Sequence, residues 1–251
     1  MMQTLEVKDL SKEFGGVMAV EGLSFTLEIK AGSRLGIIGP NGAGKTTTFG
    51  MISGELKPSS GIVKFAGERI DGFKPHKVCR RGIGRTFQIV RVLPELSVYE
   101  HLLTGAIARK FSFGLGVDQQ REAERILKLT DLERLKDVVA KNLTTVLKKR
   151  LELATVLMTR PKLLLLDELM AGLNLVEIEE TLKLLRKINE EMEIALIVVE
   201  HVMKAVMELC GRIVVLYYGE KIAEGSPREV ANNEKVVEAY LGKEAKNYAR
   251  S

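Results

Sequence analysis

Eight consecutive residues, Gly39-Pro40-Asn41-Gly42-Ala43-Gly44-Lys45-Thr46, fit the spacing GxxxxGK[ST], the pattern of a loop that wraps a polyphosphate. Its chemistry follows from its parts. Glycines let successive backbone N–H groups turn inward, and the start of a following helix adds a positive dipole end. Lys45 brings a cation and Thr46 a hydroxyl for Mg²⁺, with Thr47 next in the same cradle. The aliphatic run Leu35 to Ile38 stands directly before the loop and a helical pattern after it, a context that a ligand-free glycine turn does not require. This loop alone specifies a nucleoside triphosphate. A second run, Leu163 to Leu166, ends in Asp167-Glu168. There Asp167 is expected to hold Mg²⁺ through water, and Glu168 to polarise an attacking water as a general base. The pair moves the expectation from binding to hydrolysis.

These groups need a sheet to hold them. At 251 residues the chain is long enough for one large domain with a substantial core, and 45% hydrophobic against 28% charged residues is ordinary globular composition. Short aliphatic or β-branched runs recur at Leu5 to Val7, Leu35 to Ile38, Ile62 to Phe65, Leu163 to Leu166, Ile194 to Val199 and Ile213 to Tyr217. Several lead through turn residues into a helical pattern, which predicts βα units and a mainly parallel sheet. Ile178, Leu182 and Leu185 share one face of a predicted helix from Leu175 to Glu190. The first thirty residues pattern as strands and turns, an antiparallel flap before the core. From about 89 to 154 only helical periodicity is found, with Ser97 and Glu100 spaced as a capping box. The fold class expected is α/β, with this helical lobe inserted into a core made of 1–88 and 155–251.

Composition also excludes. No apolar run approaches the roughly 20 residues of a membrane helix, and Met1 to Leu10 lacks the basic start and apolar stretch of a secretory signal. A cytoplasmic chain is expected. Cys79 and Cys210 stand apart from each other and from histidines at ligand spacing, so both read as core filler. The net charge of +5 is scattered; its densest run, Lys148-Lys149-Arg150, has no interleaved aromatics and reads as a solvated helix face. No nucleic-acid partner is expected.

With the two nucleotide motifs in place, the sequence resembles the ATP-binding subunits of ABC transporters over nearly its whole length. Arg85-Thr86-Phe87-Gln88, 43 positions after Lys45, is similar to that family's Q-loop, and Ile197-Val198-Val199-Glu200-His201, 33 positions after Glu168, to its switch histidine. The resemblance implies that Gln88 contacts Mg²⁺ or the water and senses a membrane subunit, and that His201 contacts the γ-phosphate. Phe14, 31 positions before Lys45, resembles the aromatic that stacks on adenine, and Ala171-Gly172-Leu173-Asn174 the D-loop at the dimer seam, with Asn174 in place of Asp. It further implies a RecA-like P-loop core, ATP and Mg²⁺ as ligands, and membrane permease partners at the inner face of the cell membrane. Within the family, Gly82 to Gln88, Leu93 to Leu102, Lys149 to Ala154 and Val236 to Gly242 resemble the ATPases of branched-chain amino acid importers.

One departure stands out. Where the family carries LSGGQ or LSYGQ, this chain has Leu143-Thr144-Thr145-Val146-Leu147. Thr144 keeps a hydroxyl, but Val146 puts a branched side chain where glycine allows close approach. That segment serves the ATP of the neighbouring subunit, whereas Phe14, Lys45, Thr46, Gln88, Asp167, Glu168 and His201 form a complete half-site of the chain's own. A heterodimer with a paralogous ATPase is therefore favoured over a homodimer. Leu169, where the family usually has Pro, reads as packing variation. The competing classes are a soluble non-transport ABC ATPase, which usually has paired nucleotide domains, and a nucleotide-binding regulator, expected to have lost Lys45 or Glu168.

Overall fold

A computed structural model describes residues 3–109 and 117–241. In chain order the elements are β1 (Thr4–Phe14), β2 (Val17–Glu28), β3 (Arg34–Ile38), α1 (Lys45–Ser53), β4 (Ser60–Phe65), β5 (Glu68–Arg69), α2 (Pro75–Arg81) and β6 (Ile83–Arg85). The middle of the chain gives α3 (Val98–Arg109), α4 (Val117–Leu129) and α5 (Thr145–Met158). Then come β7 (Leu163–Asp167), α6 (Leu175–Glu191), β8 (Ala195–Val199), α7 (Met203–Leu209), β9 (Arg212–Tyr217), β10 (Glu220–Gly225), α8 (Pro227–Ala231) and α9 (Glu234–Leu241).

Two sheets result. Six strands run in the order β10-β9-β3-β8-β7-β6, parallel except for the antiparallel edge strand β10. The strands β7 and β8 are buried along their whole length because both faces are covered, as unbroken aliphatic runs require. Alternate side chains point to opposite faces. Leu164, Leu166, Leu196 and Val198 therefore join one core with the helices α3–α6, while Leu163, Leu165, Ile197 and Val199 join another beneath the second sheet. That second sheet is antiparallel, β2-β1-β4-β5. The run Ile62 to Phe65 belongs to it, pairing Val7 with Val63 and Leu5 with Phe65, and is not a strand of the parallel sheet.

The expected helix over Leu175 to Glu190 is present and one residue longer; Leu182 and Leu185 are its buried face. The helical middle is less uniform than its periodicity implied. Residues 86–97 form no helix and are tied down by backbone bonds from Ala140 N–H to Leu96 O and from Lys141 N–H to Pro94 O. Helix begins at Val98, behind a Ser97–Glu100 capping box in which each backbone N–H meets the other's side chain, and α5 continues past Ala154 to Met158. The strand β6, three residues long with Gly84 at its centre, carried too little pattern to be read from sequence.

The basic run at Lys148 to Arg150 is a correction. Lys149 is buried at 8% exposure, and the Arg150 side chain is largely covered between Asp131 and Glu180. The helix α5 packs between neighbouring helices and the loop after β7, so only part of its circumference meets solvent. Both cysteines are free, Cys210 buried and Cys79 half-buried. Among the described residues no helix is long and apolar enough to cross a membrane. Met1 and Gly242 lie outside the described residues.

Candidate functional site

The loop Gly39–Gly44 leaves the end of the central strand β3 and enters α1, whose N-cap is Gly44. Gly44 has φ of 99°, and a Cβ there would fall 2.5 Å from the Ala19 carbonyl oxygen. A Cβ on Gly39 would sit 2.2 Å from Leu216 O. Both positions therefore need glycine, one for its conformation and its neighbour, the other for close approach. The Lys45 ammonium donates to the carbonyls of Gly39 (2.7 Å) and Pro40 (2.9 Å), closing the loop on itself. Burial pulls the lysine below its ordinary range, against the opposing charges of Glu168 and Asp167.

An open cleft of about 710 Å³ lies over this loop, a size suited to a cofactor-sized ligand. Its walls are Phe14, Ala19, residues 41–47, Gln88, Glu168 and His201. Residues from β1, the loop and start of α1, the segment after β6, the end of β7 and the end of β8 thus converge although they are scattered over the sequence. Gly39 and Pro40 stand behind the wall and act through their carbonyls. Ala19 was not anticipated; a small residue on β2 carries no motif.

Glu168 follows β7 with φ of 51°, a left-handed conformation that turns its carboxylate into the cleft. Both its oxygens are engaged. Gln88 Nε2 donates to Oε2 at 2.7 Å, and His201 Nε2 shares a hydrogen bond with Oε1 at 2.8 Å. Three separately read residues are therefore one constellation. Phe14 is 45% exposed and lines the cleft, so it is not core filler; the Lys12 ammonium lies 4.9 Å from its ring centre.

Asp167 sits below the cleft at 1% exposure, outside its lining. Its Oδ2 accepts from Arg85 Nη2 at 2.8 Å, and its Oδ1 is buried without a hydrogen-bond partner. Burial pushes this carboxyl up, while the Arg85 hydrogen bond and charge oppose the shift. The orphaned oxygen, with the Thr46 hydroxyl and the Gln88 amide, supplies hard oxygen donors of the kind Mg²⁺ takes. No group of three or more His, Cys, Asp or Glu able to hold a metal occurs among the described residues.

Sequence reading missed Arg85 and Glu200 as individuals. Arg85 joins Asp167 to Glu55 and Ser53, each at 2.8–3.0 Å, across 82 and about 30 positions. Glu200, 1% exposed, accepts the Met170 N–H at 2.6 Å, and burial raises its carboxyl to about 7. The segment Leu143–Leu147 starts α5: Leu143 is buried, Thr144 and Thr145 are exposed, and the Thr144 hydroxyl caps the helix by accepting from Leu147 N–H. Asn174 caps α6 in a reciprocal box with Glu177.

The comparisons with known proteins bear on the family and the fold. The family described as ABC transporter matches residues 22–171, and that described as branched-chain amino acid ATP-binding cassette transporter matches residues 220–246. The high-affinity branched-chain amino acid transport ATP-binding protein BraF of Pseudomonas aeruginosa is 37% identical over 250 residues, covering 95% of this chain and 97% of that protein. The corresponding LivG of Escherichia coli is 35% identical at the same coverage. The lipopolysaccharide export system ATP-binding protein LptB of Escherichia coli is 30% identical over 97% of this chain and 99% of its own length. Among solved structures, the ADP conformation of MJ1267, an ATP-binding cassette of an ABC transporter, superposes with a TM-score of 0.87 at 30% identity, covering 97% of this chain and all of that one.

Proposed function

The chain belongs to the ABC transporter family of ATP-hydrolysing cassettes, and from that premise we propose that it powers a membrane importer of branched-chain or related amino acids. Import is preferred to export because residues 220–246 match the branched-chain amino acid cassette family and the relatives named for that transport share more identity than the export relative. The observation that carries the reading is the cleft itself, where Glu168, held by Gln88 and His201, faces the phosphate loop.

In this reading Phe14 stacks on the adenine, and residues 39–47 cradle the triphosphate. Lys45 exchanges its carbonyl partners for phosphate oxygens. Thr46, Gln88 and Asp167 would hold Mg²⁺, which would offset the charge of the phosphates. Glu168 releases one of its two hydrogen bonds to accept a proton from the water that attacks the γ-phosphorus. His201 steadies the γ-phosphate and the carboxylate together.

The half-site is open on one side, and closure needs a second subunit. Thr144 and Thr145 are the groups this chain offers its neighbour, but the Thr144 hydroxyl already caps its own helix, and Val146 occupies a glycine position. A paralogous partner with an intact signature would complete this chain's site better than a second copy would. Residues 89–154 act as the lobe that carries closure to a permease helix near Gln88 and the stretch from Val90 to Gly105. Seated on its permease, the subunit works at the inner face of the membrane.

Expression with the neighbouring transporter subunits should recover this chain in a complex with a permease. ATP turnover should rise at least tenfold when the purified paralogous ATPase is added. Full activity of this subunit alone would refute the heterodimer, and failure to co-purify with any permease would refute the transport role.

A further inference from the structure

Lys149 lies outside the cleft, in the second turn of α5, and the hydrolysis proposed above makes no use of it. At 8% exposure its ammonium is buried, and every donor it has is directed at one stretch of backbone. It donates to the carbonyls of Ala171 (2.6 Å) and Leu169 (2.9 Å), with a longer bond to that of Glu168 (3.4 Å). From the other side Glu200 accepts the N–H of Met170 at 2.6 Å. A buried lysine and a buried glutamate, carried on different elements, therefore grip the four residues that follow β7. Burial pulls the Lys149 ammonium below its ordinary range, against the charges of Glu200, Glu168 and Glu152.

The grip has a mechanical reason. Glu168 is left-handed at φ 51°, a conformation that is unfavourable for a residue with a Cβ and persists only when its surroundings hold it. The chain reverses there, and the carbonyls after the turn converge where a lysine, with three donors at one point, can gather them. An apolar residue would take this partner from the carbonyl of Leu169, a residue only 5% exposed.

We propose that Lys149 is a positioning residue for hydrolysis: by binding the carbonyls of residues 168–171 it fixes the backbone that aims the Glu168 carboxylate into the cleft. The clamp stands on the structure, and its consequence for turnover rests on the role assigned to Glu168. It also fastens the exposed start of α5 at Thr144 and Thr145 to the loop that carries the base.

The full-length chain with Lys149→Met keeps the aliphatic stem and loses the donors, whereas Lys149→Arg keeps donors. Backbone hydrogen exchange in the nucleotide-free protein should accelerate about tenfold or more over residues 167–174 in the Met variant, with β8 and the rest of α5 unchanged. Turnover should fall by roughly ten- to a hundredfold, the scale of a misplaced reacting group. Equilibrium ATP affinity and KM should stay within about twofold, and Arg should restore most of kcat. If Lys149→Met does not fold, Lys149→Gln takes its place with the same expectations. Unchanged exchange over residues 167–174, a loss of ATP affinity that matches the loss of kcat, or an Arg variant as impaired as Met would overturn the proposal. An unaltered chain that binds ATP without hydrolysing it would sink the reading of Glu168, and the exchange experiment would still decide the clamp.

Discussion

Replacing Glu200 by Gln should stabilise the protein in alkaline but not in acid solution. The carboxyl is 1% exposed at the end of β8, and burial raises it from an ordinary 4.5 to about 7, despite the N–H of Met170 and the charge of Lys149. Between those two values the folded chain keeps a proton that the unfolded chain has released. The stabilisation is fully present below about 4.5 and is lost as the pH rises through about 7, where the folded state comes to hold a buried anion. At 1.36 kcal/mol per pH unit the difference amounts to about 3 kcal/mol. Gln keeps the oxygen that accepts from Met170 and removes the titration. The value of about 7 already includes the attraction to Lys149, so about 3 kcal/mol of gain is expected at pH 8.5. For a chain of this size that is about 6–12 °C in Tm. Thermal unfolding of both proteins from pH 5 to 8.5, read as the difference between them, isolates this group from every other titration. The curves should lie close together near pH 5, draw apart up to about pH 7 and keep that spacing above it. Parallel curves, or a variant that loses ground as the pH rises, would refute the burial argument.

Two further substitutions test the cleft. Glu168→Gln keeps a hydrogen-bonding side chain beside Gln88 and His201 but no base, so ATP binding should persist while hydrolysis falls by roughly 10²–10⁴; turnover at the original rate would remove the role assigned to that carboxylate. Phe14→Ala removes an exposed ring from the cleft wall. Equilibrium binding should weaken for ATP and GTP alike by about 1–3 kcal/mol, the worth of one base stacked on a ring; an unchanged dissociation constant would place the base elsewhere.

The phosphate loop and the acid pair were legible from residue type and local spacing, whereas Gln88 and His201 were reached only through the family resemblance, by their order and context along the chain. The uninterrupted aliphatic runs likewise announced strands buried on both faces. The sequence did not say which sheet Ile62 to Phe65 would join, since its pattern fits either and only pairing with β1 decides. Nor did it separate Lys149 from its basic neighbours. That residue is buried because the loop after β7 folds back onto α5 some twenty positions away, and no local pattern records that approach. Arg85 meets Asp167 across 82 positions for the same reason, β6 and β7 being adjacent in the sheet. Asn174, placed at a dimer seam by the family resemblance, also caps a helix, a use open to it wherever the chain enters one. Motifs fix which groups can do chemistry. Which of them are charged, buried or already bonded depends on segments brought together by packing, and desolvation and pairing act only once the tertiary structure has made those neighbours.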